Sequence, residues 1–303
     1  MVIFFENGRL GNQFFQLAGL GKYFPGQKLV LVGFDSLVDL CDGIHALTIT
    51  KKIYKSQIVF RLAEKAVVYL SRARIISCAW ESQSAEGYTI THRRGLIRNV
   101  VIVTSSFFQS DTPEFLGSKI PVIKPAFLER GRLHMSEIWQ IREDRPKVFV
   151  HVRRGDYVSW PTVKHPAVLP AKWYFDAMDK ISLNVVNPLF IIFTDDLPYA
   201  VELFADKNDV LISDCDEKMD FVLMSLCDHG VLSASSFSWW AGIFSLKNSR
   251  KNKSRASHIA PMYWLGHRLN EWSPIGIETN WLEYEPVWNR VVTQSIRGAA
   301  IGD

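Results

Sequence analysis

Short apolar runs alternate with amphipathic segments across the second half of this 303-residue chain. The apolar runs are rich in Val, Ile, Leu and Phe, which is typical of strands buried on both faces. Strands that alternate with helices predict a parallel, doubly wound sheet, and we therefore expect a Rossmann-like domain here. The predicted strands are Val148–Val152, Leu189–Phe193, Val210–Ser213 and Gly230–Ser233, and the predicted helices are Ala171–Ile181, Tyr199–Phe204, Lys218–Cys227 and Ser235–Leu246.

The first half carries fewer clear elements. Its predicted strands are Val2–Phe5, Lys28–Val32 and Val100–Thr104, and its predicted helices are Gln57–Ser71 and, interrupted by Pro121 and Pro125, most of Glu114–Ile141. A charged stretch that ends in proline, Arg142–Pro146, is typical of a domain boundary. We therefore expect two domains, 1–145 and 146–303, with the tryptophan-rich C-terminal tail packing back on the body.

Composition excludes several classes of protein. A hydrophobic content of 48% and a charged content of 22% indicate a globular chain, and the net charge of +4 suits an anionic small ligand without demanding nucleic acid. The four cysteines form no CxxC pair, which favours reduced thiols over a disulfide frame or a zinc site. We see no signal peptide and no apolar window long enough for a membrane span, and we expect a cytoplasmic protein. The basic stretch 247–258 is expected to be a solvated loop.

The predicted strand Val148–Val152 ends abruptly in two arginines, a glycine and an aspartate. Because side chains alternate along a strand, His151 and Arg153 share a face and Arg154 points the other way. A guanidinium at the carboxyl end of such a strand can grip phosphate, and Asp156 can hold an arginine in place. A solvated strand end with a surface ion pair is the alternative.

Polar clusters also end the other predicted strands of the second half. Asp195-Asp196 follow one strand, Asp214 and Asp216 follow the next, and Ser235-Ser236 open a helix, whose amino end is suited to phosphate. Their coincidence at one sheet edge predicts a site for a nucleotide diphosphate. Asp214-Cys215-Asp216 also matches the DxD pattern of metal-binding sugar transferases, which we favour less, because so short a pattern recurs by chance.

A glycine-bearing turn, Glu6–Gln13, follows the first predicted strand. It contains neither the dinucleotide fingerprint nor a P-loop. Asn12 and Gln13 carry neutral amides, which suit sugar hydroxyls.

Several blocks together resemble the bacterial α-1,2-fucosyltransferases, glycosyltransferase family 11, within the fucosyltransferases that carry an HxRRxD motif. The resembling blocks are HVRRGDY at 151–157, NGRLGNQFFQ at 7–16, FTDD at 193–196, the stretch from Asp220 to Cys227, and SSFSWW at 235–240. The chain departs from that family's pattern in three places: Arg9 replaces a glycine, Ala234 replaces an asparagine, and Ala241-Gly242 reverses the usual order.

The resemblance implies an α/β, GT-B-like fold: two Rossmann-like doubly wound domains with a cleft between them, the acceptor side in 1–145 and GDP-fucose in 146–303. It implies inverting transfer of L-fucose from GDP-β-L-fucose to a galactose hydroxyl of an oligosaccharide or lipid-linked glycan, in α-1,2 linkage, with no obligatory metal or other cofactor. Such an enzyme is expected in the cytoplasm, also as a peripheral protein at the inner membrane. A transferase for another nucleotide sugar or linkage, and a lectin, stay open.

The same resemblance assigns residues by position. The expected catalytic residues are Arg153, which would bind the β-phosphate and stabilise departing GDP, Asn12, and Asp156, as a base or as a brace for Arg154. The residues expected to contact GDP-fucose are Arg9, Gly11, His151, Arg154, Asp195, Asp220, Ser235, Ser236 and Phe237. Asp220 matches the acid that receives guanine in the related α-1,6-fucosyltransferases. Arg9 and Asn12 match a turn of the protein O-fucosyltransferases in which they face fucose.

Overall fold

The computed structural model describes residues 1–51, 57–84, 87–104, 106–109, 120–249 and 256–287, and the chain divides into two compact units. The first unit comprises Met1–Phe127 and Ile275–Ile277, and the second comprises Leu128–Pro274 and Glu278–Asp303. The division therefore lies before the boundary expected at 145/146. The helix that begins at Pro125 accounts for the difference, because Gly131 lies so close to Val222 that an added Cβ would come within 2.7 Å of its side chain.

The first unit is a six-stranded sheet with helices. Its elements are β1 (Val2–Phe5), α1 (Leu10–Tyr23), β2 (Leu29–Val32), α2 (Asp35–Leu40), β3 (Cys41–Asp42), β4 (Leu47–Ile49), α3 (Gln57–Arg72), β5 (Ile76–Ser84), β6 (Gly87–Arg93), β7 (Ile97–Thr104) and β8 (Val122–Ile123). The sheet order is β4-β2-β1-β7-β5-β6, and only β5 and β6 pair antiparallel within it. β1 is central, and its apolar side chains are matched in register by those of β2 and β7.

Helix α4 (Pro125–Leu133) and a π-helical turn (His134–Ile138) precede the second sheet. The following elements are β9 (Lys147–Val152), a 3₁₀ turn (Gly155–Val158), α5 (Ala171–Ser182), β10 (Leu189–Thr194), α6 (Leu197–Leu203), β11 (Val210–Ile212), α7 (Glu217–Ser225), β12 (His229–Val231), α8 (Ser236–Ser249), β13 (His258–Pro261) and β14 (Glu283–Glu285). These strands all pair parallel, in the order β11-β10-β9-β12-β13-β14. Counted from β9 this is the doubly wound order 3-2-1-4-5-6, so the Rossmann-like sheet predicted for this half is confirmed.

The core of the second unit explains why its strands and helices could be predicted from the sequence. Val148, Val150 and Val152 of β9 are buried against α5, whose Trp173 and Tyr174 contribute two large side chains to the same cluster. Trp264 is buried and the ring of Trp281 lies 5.4 Å from that of Trp239, so the C-terminal segment is anchored by its aromatic rings. Trp288 lies outside the described residues.

Candidate active site

The carboxyl ends of β9 and β12 are adjacent, because these strands are neighbours at the point where the strand order reverses. Doubly wound proteins bind their ligands outside the strand ends at such a point. One hydrogen bond joins the two turns directly: the Tyr157 hydroxyl donates to the Ala234 carbonyl at 2.9 Å. Burial raises the pKa of Tyr157 to about 12, and the hydroxyl therefore keeps its proton at neutral pH. The topology thus brings the Arg153 turn and the Ser235 turn together.

Arg153 is held between two carboxylates of unequal exposure. Its Nη1 lies 2.6 Å from Oδ2 of Asp195, and its Nη2 donates to Oδ1 of Asp156. The Arg153 side chain is 14% exposed, whereas that of Asp156 is 65% exposed. A guanidinium has five N–H donors, so these two contacts leave others for a phosphate. The solvated carboxylate of Asp156 is the partner that an incoming anion can replace most easily.

Asp195 is placed by a close approach to the backbone of the β9 turn. Its Oδ1 accepts a hydrogen bond from the Arg154 N–H at 2.8 Å, while its Oδ2 receives Arg153. Gly155 has a φ of +21°, and a Cβ there would come within 2.3 Å of that same Oδ2. A side chain at this position would push the carboxylate away, and Gly155 is therefore what allows Asp195 to reach Arg153.

Arg154 turns towards α6 instead. Its Nε donates to Oδ2 of Asp196 at 2.9 Å, and its guanidinium stacks 3.7 Å from the ring centre of Tyr199. The prediction that Arg154 and Arg153 point to different sides agrees with these separate sets of partners. The suggestion that Asp156 braces Arg154 is wrong, because the 3₁₀ turn that begins at Gly155 carries the carboxylate back to Arg153.

His151 is buried next to α8, the helix that follows the neighbouring strand β12. Its Nδ1 lies 2.6 Å from the Ser233 hydroxyl, and its ring centre is 5.6 Å from that of Phe237. Burial, with a smaller contribution from the positive charge of Arg153, lowers the pKa of His151 to about 3. The imidazole is therefore neutral at physiological pH and acts as a hydrogen-bonding group, not as a cation.

The serines before α8 shape its amino end. The Ser235 hydroxyl accepts a hydrogen bond from the Phe237 N–H at 3.3 Å, which makes it a cap of the helix. Ser238 donates to the carbonyls of Ser233 and Ser235 and so tightens the turn. Trp239 and Trp240, which follow, are buried, and they serve packing. The N–H groups of the first helical turn carry partial positive charge at this sheet edge.

Asp220 is a buried carboxyl on α7. The Ser213 hydroxyl donates to its Oδ1 at 2.6 Å, and Ser213 in turn accepts from the Cys215 N–H at 3.3 Å. Burial raises the pKa of Asp220 to about 7, and the nearby carboxylate of Asp216 adds to that rise. A buried carboxyl with an oxygen to spare can accept N–H groups from a base, and it does so best when ionised.

The DxD pattern has a structural explanation. Oδ1 of Asp216 accepts from the Met219 N–H at 2.8 Å and caps α7. Cys215 lies 3.4 Å from the ring of His134, in the π-helical turn. Across the described ranges, no group of three or more His, Cys, Asp or Glu side chains is arranged to hold a metal ion.

The turn after β1 in the first unit is lined by amides. Arg9 is exposed at the start of α1, without a side-chain capping bond, and Gly11 is buried within that helix. Oδ1 of Asn12 accepts from the Gln109 amide at 2.8 Å. Gly8 has a φ of +93°, and a Cβ there would come within 2.3 Å of the Asn12 amide nitrogen. This turn, like that of β9, depends on a glycine at a close approach.

The second unit thus brings most of the predicted site residues together. The gathered residues are His151, Arg153, Arg154, Asp156, Asp195, Ser235, Ser236 and Phe237. Asp220 precedes Phe221 on α7, and the ring of Phe221 lies 5.3 Å from that of Phe237. Arg9, Gly11 and Asn12 lie in the first unit. Sequence reasoning missed Ser213 and Ser233, although both end predicted strands and that position could have marked them.

Comparison with known proteins agrees with this geometry. The sequence model described as "Glycosyl transferase family 11" matches residues 122–256, which include every site residue of the second unit. This segment, somewhat less than half of the chain, is therefore similar to the proteins of that family. The site residues Arg9, Gly11 and Asn12 lie outside the matched range.

Three relatives support the family. An Escherichia coli protein named alpha-1,2-colitosyltransferase is 32% identical over 42% of this chain and 44% of its own length. The E. coli "O-antigen biosynthesis glycosyltransferase WbnK" is 32% identical over 33% of this chain and 35% of its own. A "Galactoside alpha-(1,2)-fucosyltransferase 1" of Leontocebus fuscicollis is 30% identical over 32% and 29%. The chain thus aligns with less than half the length of each of these relatives.

Solved structures support the fold. The structure entitled NodZ alpha-1,6-fucosyltransferase co-crystallized with GDP is similar with a TM-score of 0.50 and 13% identity, over 80% of this chain and 92% of that one. A glycosyl transferase family 9 structure from Veillonella parvula has a TM-score of 0.51 and 10% identity, over 99% and 88%. The predicted GT-B-like class, with two α/β units that each contain a parallel-rich sheet, is confirmed.

Proposed function

We propose that this chain is an inverting galactoside α-1,2-L-fucosyltransferase, which moves L-fucose from GDP-β-L-fucose to a galactose hydroxyl of a glycan. The observation that supports it best is the guanidinium of Arg153, held at the switch point beside the amino end of α8. Doubly wound proteins bind phosphate groups at such a position. The family match over 122–256 supplies the reaction class.

In the proposed reaction, the bond between fucose C1 and the β-phosphate oxygen breaks, and its electron pair stays on GDP. The acceptor oxygen forms the new bond to C1 from the opposite face, and its proton leaves. Negative charge grows on the diphosphate as the bond breaks. Arg153 and the N–H groups at the start of α8 meet this charge where it develops, which is the main way in which enzymes lower such barriers.

The diphosphate has to compete for Arg153. Asp195 holds one side of the guanidinium from a half-buried position, and the exposed Asp156 holds the other. We propose that a phosphate oxygen takes the place of Asp156. Because this carboxylate is already largely hydrated, its ion pair with Arg153 is weak and costs little free energy to break. Released in this way, Asp156 would be available as a base for the acceptor hydroxyl.

We propose that the nucleotide base binds at Asp220. The ionised carboxyl would accept guanine N–H groups, and Ser213 would orient it. His151, neutral and hydrogen-bonded to Ser233, would contribute a hydrogen bond at the nucleotide from within the sheet edge. Ser236 and Phe237, at the beginning of α8, would line the same side.

The deciding experiment offers GDP-fucose to the purified protein with a panel of galactose-ended oligosaccharides. Product is read by mass spectrometry and linkage analysis, and the Arg153→Ala variant serves as the control. We expect an α-1,2-fucosylated product that depends on Arg153. Transfer that is independent of Arg153 would contradict the proposed site. A product with fucose on another hydroxyl would contradict the proposed linkage.

A second donor sugar is suggested by one relative, which is named for transfer of colitose. The nucleotide-linked colitose donor should therefore be run against GDP-fucose with the same acceptors. Calorimetry with GDP and UDP tests the nucleotide separately: a lectin would bind neither, and a UDP-sugar enzyme would prefer UDP.

We also propose that transfer requires no metal, since Arg153 and the start of α8 supply positive charge for the diphosphate. Activity should be unchanged after treatment with EDTA. A rate that falls with EDTA and returns with Mg²⁺ or Mn²⁺ would contradict this. The thiols of Cys41, Cys78, Cys215 and Cys227 are all unpaired, which fits the reducing cytoplasm in which we place the reaction. Among the residues that the structure describes, no helix combines the length and the apolar character that crossing a bilayer requires.

A further inference from the structure

Helix α3 of the first unit carries several large apolar side chains that are exposed to solvent. The helix is anchored from its other side, where Phe60 is buried and packs on Phe5 with the ring centres 5.9 Å apart. Three apolar side chains are largely open to solvent: Ile58 at 70%, Leu62 at 59% and Tyr69 at 70%. Large apolar side chains clustered on one face indicate a binding surface more often than scattered ones do.

The exposed side chains of α3 are arranged in two sectors. At 3.6 residues per turn, Ile58, Leu62 and Tyr69 fall within about 40° of one another around the helix axis. The basic side chains fall in a second sector directly beside the first. All exposed side chains described on α3 are apolar or basic: Ile58, Val59, Arg61, Leu62, Lys65, Ala66, Tyr69 and Arg72. A helix face that is only solvated would carry acidic residues among the basic ones.

The same character continues beyond the end of the helix. The backbone N–H of Leu96 donates to the Arg74 carbonyl at 2.9 Å, and that of Ile97 donates to the Ile75 carbonyl at 2.8 Å. The turn before β7 is thereby fixed to the segment that follows α3. Leu96 is 85% exposed. The exposed basic residues of these two segments are Arg74, Arg94 and Arg98.

The positive charge of this face favours an anionic lipid surface over a second copy of the chain as its partner. A second copy of the chain would place the same patch on both sides of a two-fold contact, and the arginines and lysine would face one another. An anionic lipid surface offers phosphates to the basic sector and an acyl boundary to the apolar sector. Apolar and basic sectors side by side are typical of helices that lie in such an interface. The acidic residue of α3, Glu64, is half-buried and lies on the far side of the basic sector from Ile58, Leu62 and Tyr69.

We propose that α3 and the adjoining turn at 94–98 dock the protein on an anionic membrane surface. Ile58, Leu62 and Tyr69 enter the boundary between headgroups and acyl chains, while Arg61 and Lys65 contact lipid phosphates. This inference does not depend on the fucosyltransferase assignment, because it uses no residue of the candidate active site.

The test is co-sedimentation of the full chain with vesicles of phosphatidylcholine and phosphatidylglycerol in equal parts, against phosphatidylcholine alone. We expect binding to the anionic vesicles only, and we expect it to weaken at high salt. The triple variant Arg61→Gln/Lys65→Gln/Arg72→Gln should bind roughly a hundredfold more weakly, since each basic residue near such a surface is worth about fivefold. Leu62→Ser should also reduce binding, because it shortens the apolar sector.

The matched control is Arg142→Gln/Lys172→Gln/Lys207→Gln, which removes three exposed charges from the second unit. It should bind like the parent chain, whereas equal losses in both triple variants would show that only net charge matters and would overturn the proposal. So would concentration-dependent dimers that Leu62→Ser abolishes, because the occupant would then be a second copy. The charge variants replace exposed side chains and leave no cavity, and unchanged circular dichroism confirms their fold.

Discussion

β1 and β9 are the corresponding strands of the two sheets: each is flanked by parallel neighbours on both sides. Their carboxyl ends carry opposite chemistry. β9 ends in two arginines. β1 ends in Glu6, whose carboxylate pairs with Lys51 and accepts from the Gln13 amide at 2.5 Å. Burial raises the pKa of Glu6, so the Lys51 contact offsets only part of the cost of burying it.

The difference shows that one topology can carry two kinds of chemistry at its strand ends. Around Asn12, the side-chain amides of Gln13, Gln16 and Gln109 each donate a hydrogen bond within the turn, to Glu6, to the Asn7 carbonyl and to Asn12. The polar groups next to Asn12 are therefore mainly amides. Around Arg153, a cation is kept in place by carboxylates at its edges. The first arrangement suits neutral hydroxyls and the second suits a diphosphate. Each variant below tests one side of this contrast.

The largest effect is expected from Arg153→Ala. Loss of a preorganised group at developing charge typically costs about 3 kcal/mol, so turnover with GDP-fucose should fall at least about a hundredfold. Arg154→Ala is the matched comparison. Because that guanidinium is engaged by Asp196 and Tyr199, its loss should lower the melting temperature and reduce turnover less. Equal losses of turnover in two folded variants would contradict the division of roles.

Gly155→Ala is expected to lower turnover about tenfold, or about 1.4 kcal/mol. The added Cβ would displace the Asp195 carboxylate, and Arg153 would lose its fixed orientation. If that is the cause, Gly155→Ala should add little in an Asp195→Ala background, as a double-mutant cycle would reveal. Gly21→Ala is the control, since a Cβ there meets nothing within 4 Å. Fully additive losses would point to backbone strain instead.

These two predictions show where sequence reasoning was sufficient and where it was not. The strands β1, β9 and β10 were predicted closely, because continuous apolar runs bounded by polar turns have few other interpretations. The β5–β6 hairpin was missed, since its strands mix polar with apolar residues and one of them is an edge. The short strand β14, with the sequence Glu-Tyr-Glu, has no apolar run to recognise.

The candidate site divides in the same way. Alternation along the strand predicted that Arg153 and Arg154 point to different sides. Their partners differ accordingly, although both arginines follow the last residue of β9, Val152. The ion pair between Asp156 and Arg153 was not predictable from the sequence, because it depends on the φ of Gly155 and on the 3₁₀ turn that begins there. Ser213 and Ser233 were recognised as part of the site only from their hydrogen bonds to Asp220 and His151 in the structure.

A pH-dependent effect of about tenfold is expected from Asp220. Its pKa of about 7 means that the carboxyl gains a proton as the pH falls from 8 to 6, and GDP affinity should weaken by about that factor over the range. Calorimetry at three pH values measures it. Ser213→Ala should move the midpoint upward, because the hydroxyl stabilises the ionised form. GDP affinity that is flat between pH 6 and 8 would remove Asp220 from base recognition.

The same raised pKa predicts the sign of a stability change. A carboxyl whose pKa is higher in the folded state stabilises the fold fully below its unfolded pKa of about 4, and that contribution is lost as the pH rises through about 7. Asp220→Asn should therefore raise the melting temperature of the unliganded protein at pH 8 and change it little at pH 5. It should also abolish the pH dependence of GDP binding.

The smallest effect is expected in the first unit, from Asn12→Ala. If this amide faces the sugar, its loss removes a hydrogen bond worth about 1 kcal/mol, so affinity for GDP-fucose should fall about fivefold while affinity for GDP stays unchanged. Gly8→Ala should act in the same direction, because its Cβ would displace the Asn12 amide. Affinities for both ligands measured on each variant decide the matter. A parallel loss of GDP affinity would mean that the amide-lined turn acts on the nucleotide, and the contrast between the ends of β1 and β9 would no longer separate sugar from phosphate.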